Sequence, residues 1–270
     1  MIRLMTAFTH FVRNGEVLPI AEANVSLTNI EYSYGFGVYE TIRVSSSAPK
    51  FLDEHIKRLF RSASIIGLEH VLTEGMITKW VTDLLEKCEG ERFNLKMLLI
   101  GAPNPNDATL IIMPLNPLFP DKKFVKEGVD VITYEYERPF PNAKTLNMLN
   151  SYLAYKKAKD AGCFEALLTH PDENIYEGTR SNLFMVKGDK LITPPSEHIL
   201  EGITRNHVIE AARKEGIEVE EADIPLAEAK NFDCAFLTSS SFKVMPIRKI
   251  DDIEFGEIPE ITKKIIELYG

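Results

Sequence analysis

Cysteine is scarce: only Cys88, Cys163 and Cys234 occur in 270 residues. They are odd in number, scattered and free of any C-x-x-C pair, which excludes a disulfide framework and a thiolate zinc site. A reducing, cytoplasmic setting is therefore expected. Long apolar runs are missing as well. The nearest, LKMLLIGAP, falls far short of the ~18 residues that cross a bilayer, and the opening MIRLMTAFTHFVRNGE has no apolar core of the secretory type. Positive charge is in deficit, with 31 Lys and Arg against 40 Asp and Glu and a net charge of −9. That balance excludes nucleic acid and anionic membrane as the main partner, since both require a basic footprint. The six histidines show no metal-ligand spacing, so no metal site is expected. No G-x-x-x-x-G-K-[ST], H-E-x-x-H or G-x-S-x-G occurs, and Gly35-Phe36-Gly37-Val38-Tyr39-Glu40 places Glu where a dinucleotide loop needs its third glycine.

What remains is an ordinary globular composition, 44% hydrophobic and 26% charged. Asn14-Gly15 between alternating segments 8–12 and 17–20 predicts a hairpin, because a type I′ turn needs positive φ at both central residues. Residues 36–44 read as a strand. Ile56, Leu59, Phe60, Ala63 and Ile66 then recur at helical spacing and stop at Gly67, and a second helix follows with Thr73 as its N-cap. Residues 95–100 and 109–113 are apolar strands, which makes 1–115 an α+β unit. The prolines and charges of LNPLFPDKKF predict an interdomain linker over 116–126. In the second half, 127–270, strands are expected at 128–136, 165–169, 183–186, 190–192, near Val219 and at 234–237. Helices are expected at 148–159, 205–214 and 257–268. Short strands among irregularly placed helices predict a mixed α+β fold without βαβ winding.

Two features suggest chemistry. In EGTRSNLFMVKGDKLITPPSEHILEGITR (177–205) a carboxylate and two short strands lead into Gly202-Ile203-Thr204, which opens a helix whose free N–H groups suit an anion. The run Thr238-Ser239-Ser240-Ser241 follows a buried strand and offers further donors. Taken alone, the first reads as a capped helix, and the second reads equally as a polar loop.

The positions Glu177, Thr179, Asn182-Leu183-Phe184, Leu191, Thr193, Leu200, Gly202-Ile203 and Arg205 resemble the signature of the class IV pyridoxal-phosphate aminotransferases, also called fold type IV. That family includes branched-chain and D-amino-acid aminotransferases, (R)-selective amine transaminases and aminodeoxychorismate lyases. Tyr34–Glu40, the Glu54-His55-Ile56-Lys57-Arg58-Leu59 helix and Lys144-Thr145-Leu146-Asn147 agree with it, so the likeness spans about residues 10 to 250. The resemblance implies two domains, a small N-terminal α/β one and a larger β-rich C-terminal one, with pyridoxal 5′-phosphate between them, and a homodimer. It implies Lys144 as the catalytic lysine bound to the cofactor aldehyde, and Glu177 as partner of the pyridine nitrogen. Arg58, Ile203, Thr204, Ser239 and Ser240 are implied as phosphate ligands, with Tyr39 and Leu200 against the ring.

The implied reaction is a ping-pong exchange of an amino group between an amino donor and a 2-oxo acid. Ile100 stands where the familiar D-amino-acid enzymes carry an arginine, which favours branched-chain or related amino acids as donors. D-amino acids or (R)-amines are the alternative, and aminodeoxychorismate lyase comes third. Tyr34, Lys96, Arg138 and Arg180 are the candidate substrate-binding residues, and the choice among the three cations stays open at this point.

Overall fold

The computed structural model describes residues 8–269 apart from 27, 117–119 and 121, so the first seven residues of the N-terminal segment lie outside the described residues, as do four of the expected linker. The chain forms two compact units. The first is Met1–Leu118 with Ala143–Asn147, and the second is Phe119–Asn142 with Met148–Gly270. The lysine segment of the chain thus belongs with the first unit, although it lies inside the stretch expected to be one C-terminal domain. Where a linker was expected, residues 122–127 form a helix of the second unit. Its lysines and Phe124 carry no periodic signal, which is why it reads as a linker.

The first unit is a six-stranded antiparallel sheet in the order β2-β1-β6-β5-β3-β4. Its strands are β1 (His10–Arg13), β2 (Glu16–Pro19), β3 (Gly37–Ser45), β4 (Ala48–Pro49), β5 (Arg92–Ile100) and β6 (Thr109–Leu115), with the one-turn helix α1 (Ile30–Ser33) ahead of β3. Asn14 (φ 46°) and Gly15 (φ 91°) make the expected hairpin turn. Helices α2 (Leu52–Ile65) and α3 (Glu74–Leu85) cover one face, packing Ile56, Leu59, Ala63, Ile77, Val81 and Leu84 on Val38, Ile42, Leu95, Met97 and Leu99. The Thr73 hydroxyl accepts a hydrogen bond from Met76 N–H at 3.3 Å, as expected of an N-cap.

Within this apolar layer sits one polar cluster. Glu40, wholly buried on β3, accepts from Arg58 Nε (2.6 Å) and Nη2 (2.7 Å), and its Oε2 meets His55 Nδ1 at 2.7 Å. Burial by itself would raise the Glu40 pKa, but the Arg58 guanidinium and His55 outweigh it and hold the carboxyl well below its usual 4.5.

Segment 143–147 runs beside the start of β3, at the end β4 leaves unpaired. Tyr39 N–H donates to Lys144 O at 2.9 Å, Leu146 N–H donates to Gly37 O at 2.8 Å, and Val38 bridges Thr145. Ser62 on α2 adds its hydroxyl, accepting from Lys144 N–H at 3.1 Å. A Cβ on Gly37 would stand 2.7 Å from both Leu146 Cδ1 and Leu99 O, so only glycine permits this approach.

The second unit carries β7 (Val129–Glu135), β8 (Glu165–Thr169), β9 (Ile175–Gly178), β10 (Asn182–Lys187), β11 (Lys190–Thr193), β12 (Glu218–Glu221), β13 (Cys234–Ser239), β14 (Lys243–Ile250) and β15 (Ile253–Glu254). Its helices are α4 (Lys122–Glu127), α5 (Leu149–Asp160), α6 (Ile203–Lys214) and α7 (Glu260–Tyr269). Strands β10-β13-β14-β7-β8-β9 follow one another, and β9 pairs back onto β10 through Glu177 and Asn182, which closes the six into a ring. All six contribute to one apolar core: Val129, Val131, Leu167, Ile175, Leu183, Met185, Ala235, Leu237, Met245 and Ile247. Outside it, α6 and α7 pack on Phe184, Val186 and Phe236, and α5 packs on Ala166 and Leu168.

The fold differs from the expected one in its parallel pairs. β7 and β8 are parallel across α5, and β11 and β12 are parallel across α6. These are two βαβ units inside a mixed sheet, contrary to the expectation of none. The strand β9 was also unanticipated, because four residues directly after the HPDEN turn show no alternation. Among the described residues, no helix is long and apolar enough to cross a membrane.

Two outcomes follow from the packing. Gly37→Ala is expected to destabilise the first unit by about 1–3 kcal/mol through overpacking, seen as a lower urea midpoint. Glu40→Gln removes the buried carboxylate charge that faces Arg58 and His55 and costs about 3 kcal/mol or more at neutral pH. Because the folded Glu40 pKa lies below its unfolded value, the unfolded chain binds the proton first. The carboxylate's contribution is complete well above pH 4.5 and is lost as the pH falls below it. Urea midpoints followed from about pH 7 down to about pH 3 should fall less steeply in the variant than in the parent.

Candidate active site

In the first unit two of the candidate residues, Lys144 and Lys96, lie over the ring of a third, Tyr39. The Nζ of Lys144 lies 4.7 Å from the centroid of Tyr39, and the Nζ of Lys96 lies 5.5 Å from it. Tyr39 is opposite Leu98, and Thr41 is opposite Lys96 in the β3–β5 register, which puts these side chains on the sheet face away from α2. Both lysines are half-buried, and among the described residues neither has a carboxylate partner. A half-buried ammonium with no counter-ion is unusual in a chain with nine surplus acids. Ile100 ends β5 with its side chain in a small apolar cluster beside Phe11 and Ile111. Arg58, expected as a phosphate ligand, directs Nε and Nη2 to Glu40. Tyr34, next to α1, is 85% exposed.

In the second unit the central group is Glu177 on β9, buried at the point where the ring of strands closes. Its Oε1 accepts from Arg138 Nε at 2.8 Å and also from Nη2, and Arg138 Nη2 additionally meets Pro141 O at 3.0 Å. Its Oε2 accepts from the Leu200 N–H at 3.2 Å. Arg138, a candidate for the substrate carboxylate, is thus occupied with Glu177. Nothing in the sequence signals this pair, whose members stand 39 positions apart. Arg180, another candidate, points its Nε toward Glu165 at 3.6 Å and its guanidinium over Tyr155 at 4.2 Å. Of the three candidate cations, Lys96 alone lacks a carboxylate among the described residues.

The helix start is as expected but slightly longer, since α6 begins at Ile203 rather than Arg205. Gly202 is its N-cap and supplies no side-chain cap, which leaves the N–H groups of the first turn uncapped by a side chain. A Cβ on Gly202 would land on Asn182 Oδ1, whose own amide donates to Leu200 O at 2.8 Å. Ile203 and Thr204 are buried there, with Leu200 just ahead of them. Across the sheet, Thr238 pairs with Asn182, and its Oγ1 is buried without a hydrogen-bond partner among the described residues. Ser239 and Ser240 are half-buried, and Ser239 Oγ accepts from Phe242 N–H at 3.3 Å.

These features fit pyridoxal phosphate. A lysine held against an aromatic ring suits an aldehyde, and a buried carboxylate steadied by arginine suits a protonated pyridine nitrogen. A glycine-capped helix start with an unsatisfied buried hydroxyl in the same unit suits a phosphate. Among the described residues, no three His, Cys, Asp or Glu side chains gather to hold a metal ion.

Known proteins match the chain over most of its length. The profile of the family described as Amino-transferase class IV matches residues 37–250. A D-alanine aminotransferase of Bacillus licheniformis is 33% identical over 253 residues, covering 90% of this chain and 89% of that protein. The branched-chain aminotransferase of Thermoproteus uzoniensis, solved with norvaline, superposes with a TM-score of 0.86 at 28% identity, covering 96% of this chain and 93% of that one. The branched-chain amino acid aminotransferase of Escherichia coli gives a TM-score of 0.88 at 26% identity over 96% of this chain and 92% of that one. Another solved branched-chain enzyme of this kind holds pyridoxamine 5′-phosphate. With four-fifths of its length inside the family profile and a relative one-third identical across nine-tenths of it, the chain belongs to the class IV aminotransferases.

Proposed function

We propose that this transaminase moves an amino group between a branched-chain or related amino acid and a 2-oxo acid, with Lys144 as its catalytic residue. The supporting observation is the placement of Lys144: its backbone is pinned to β3 and Ser62, while its amine rests on the Tyr39 ring with no carboxylate partner among the described residues. Bound pyridoxal phosphate supplies an electron-poor pyridinium ring that accepts charge developing at the substrate α-carbon. Glu177 would hold the ring nitrogen, with Arg138 and the Leu200 N–H fixing its two oxygens. The Ile203 and Thr204 N–H groups, the Thr204 hydroxyl, Ser239, Ser240 and Arg58 would take the phosphate, and Leu200 would press on the ring face. Lys144 Nζ would take the α-proton and return it, a task suited to an amine with no carboxylate partner among the described residues. Lys96 would receive the substrate carboxylate.

Two observations bear on the donor. Ile100 is buried in an apolar cluster, so the end of β5 offers no cation of the kind the D-amino-acid branch uses. The relatives solved as structures include branched-chain enzymes, one of them with norvaline. The second reading, a D-amino-acid transaminase, draws support from the Bacillus licheniformis relative. We further read the enzyme as a cytoplasmic homodimer. Tyr34 (85% exposed) and Ile30 (62%) on the first unit, and Leu149 (67%) and Tyr152 (60%) on the second, are apolar groups that a subunit contact would cover.

Lys144→Ala is expected to lower turnover more than about a thousandfold, and borohydride reduction with peptide mapping should place the pyridoxyl label on Lys144 in the parent enzyme alone. A label elsewhere overturns the assignment. Single-turnover spectra with L-leucine, D-alanine, (R)-phenylethylamine and aminodeoxychorismate decide the donor. Fastest conversion of L-leucine is expected, and preference for D-alanine selects the second reading.

A further inference from the structure

Glu165, at the start of β8, is a second carboxylate with no exposed surface in the unit that carries Glu177. Three consecutive residues of the β9–β10 turn converge on it. The Thr179 hydroxyl donates to Oε1, the Ser181 hydroxyl donates to Oε2 at 3.3 Å, and Arg180 Nε approaches Oε2 at 3.6 Å. Arg180 is in turn braced against the Tyr155 ring of α5. A turn rarely commits all of its side chains to one buried group, since each loses rotamer freedom in doing so. Burial pushes the Glu165 carboxyl above its usual range, with Arg180 and the two hydroxyls opposing that rise.

The turn held in this way is the one that follows Glu177. Gly178 N–H donates to Ser181 O at 2.8 Å, and Thr179 N–H donates to Ala166 O at 3.1 Å. A Cβ on Gly178 would land on Ser181 Oγ, so the chain is packed down onto Glu165 as tightly as glycine allows. The next residue after the turn, Asn182, pairs with Glu177 to close the ring of strands and donates to Leu200 O, while Leu200 N–H returns to Glu177 Oε2. A continuous path of hydrogen bonds and backbone therefore leads from Glu165 through the turn to both sides of Glu177.

We propose that Glu165 is a positioning residue for Glu177, setting through Thr179, Arg180 and Ser181 the register in which Glu177 meets the cofactor ring. This rests on the reading of Glu177 given above. Glu165 exposes no surface, so its effect on a bound cofactor would pass through Glu177. A displaced Glu177 costs catalysis and not substrate capture, because misplacement of a group that acts on the reacting system lowers kcat by about 10- to 100-fold.

The test is a double-variant cycle in the holoenzyme: Glu165→Gln, Glu177→Gln and both together, with kcat, KM and thermal midpoint measured for each. The expected result is a loss of kcat in Glu165→Gln of about tenfold or more, KM for the amino donor within about twofold of the parent, and little further loss when Glu177→Gln is already present. Losses that multiply, or a kcat loss that only tracks the thermal midpoint, overturn the proposal. Undiminished turnover in Glu177→Gln overturns the reading of Glu177 and this inference with it, an outcome distinct from either. If Glu165→Gln does not fold, Thr179→Ala and Ser181→Ala enter the same cycle, each removing one hydroxyl and leaving the carboxylate paired with Arg180; the same non-additivity with Glu177→Gln is expected, and multiplying losses overturn the proposal here as well.

Discussion

A carboxylate moved out of water must be matched by cations or donors, or it will not stay charged. Three buried glutamates obey this constraint, and each fixes a different part of the enzyme. Glu40 ties α2 to the first sheet through Arg58 and His55. Glu177 is held at the closure of the second unit's ring by Arg138 and the Leu200 amide. Glu165 gathers the intervening turn through Arg180 and two hydroxyls. An arginine serves in each case, and the two-point contact at Glu40 shows why lysine would not do: the planar fork fixes orientation as well as charge. The two lysines beside Tyr39 stand in contrast. They are cations left without a matching acid among the described residues, resting instead on an aromatic ring.

Local chemistry made much of the scaffold legible in advance. Asn14-Gly15, Thr73 and Gly67 announce a turn, a cap and a stop because each acts within about four residues of itself. The strand β9 and the helix α4 escaped notice for the opposite reason. Four residues are too few for a period, and what makes Ile175–Gly178 a strand is β8 on one side and β10 on the other. Strand β14 carries Pro246 in its middle, a residue that argues against a central strand when read alone. The return of residues 143–147 to the first unit could not be seen either. It depends on backbone pairing with Gly37 and Tyr39, about a hundred residues upstream, and backbone groups leave no trace in side-chain pattern.

The candidate site was legible in a narrower way. A helix start at Gly202 whose free N–H groups suit an anion can be read from residue types. The roles proposed for Lys144 and Glu177 come only with a family likeness, since an isolated lysine or glutamate looks like any surface charge. Arg138, Arg180 and Lys96 were indistinguishable as cations. Partners separated them: Glu177 takes the first, Glu165 the second, and an aromatic ring the third.

The glycines complete the reasoning. Gly37, Gly178 and Gly202 do not have positive φ, so conformational freedom does not explain them. Each marks a place where two chain segments approach within the space of a methyl group: the lysine segment on β3, the turn on Glu165, and the start of α6 on Asn182. A side chain at any of them would push apart groups that must be held at hydrogen-bond distance. Close packing at these three points holds each segment in one place within its own unit, without a side chain to spare. In this chain the absence of a Cβ fixes the backbone at these points as firmly as a hydrogen bond does.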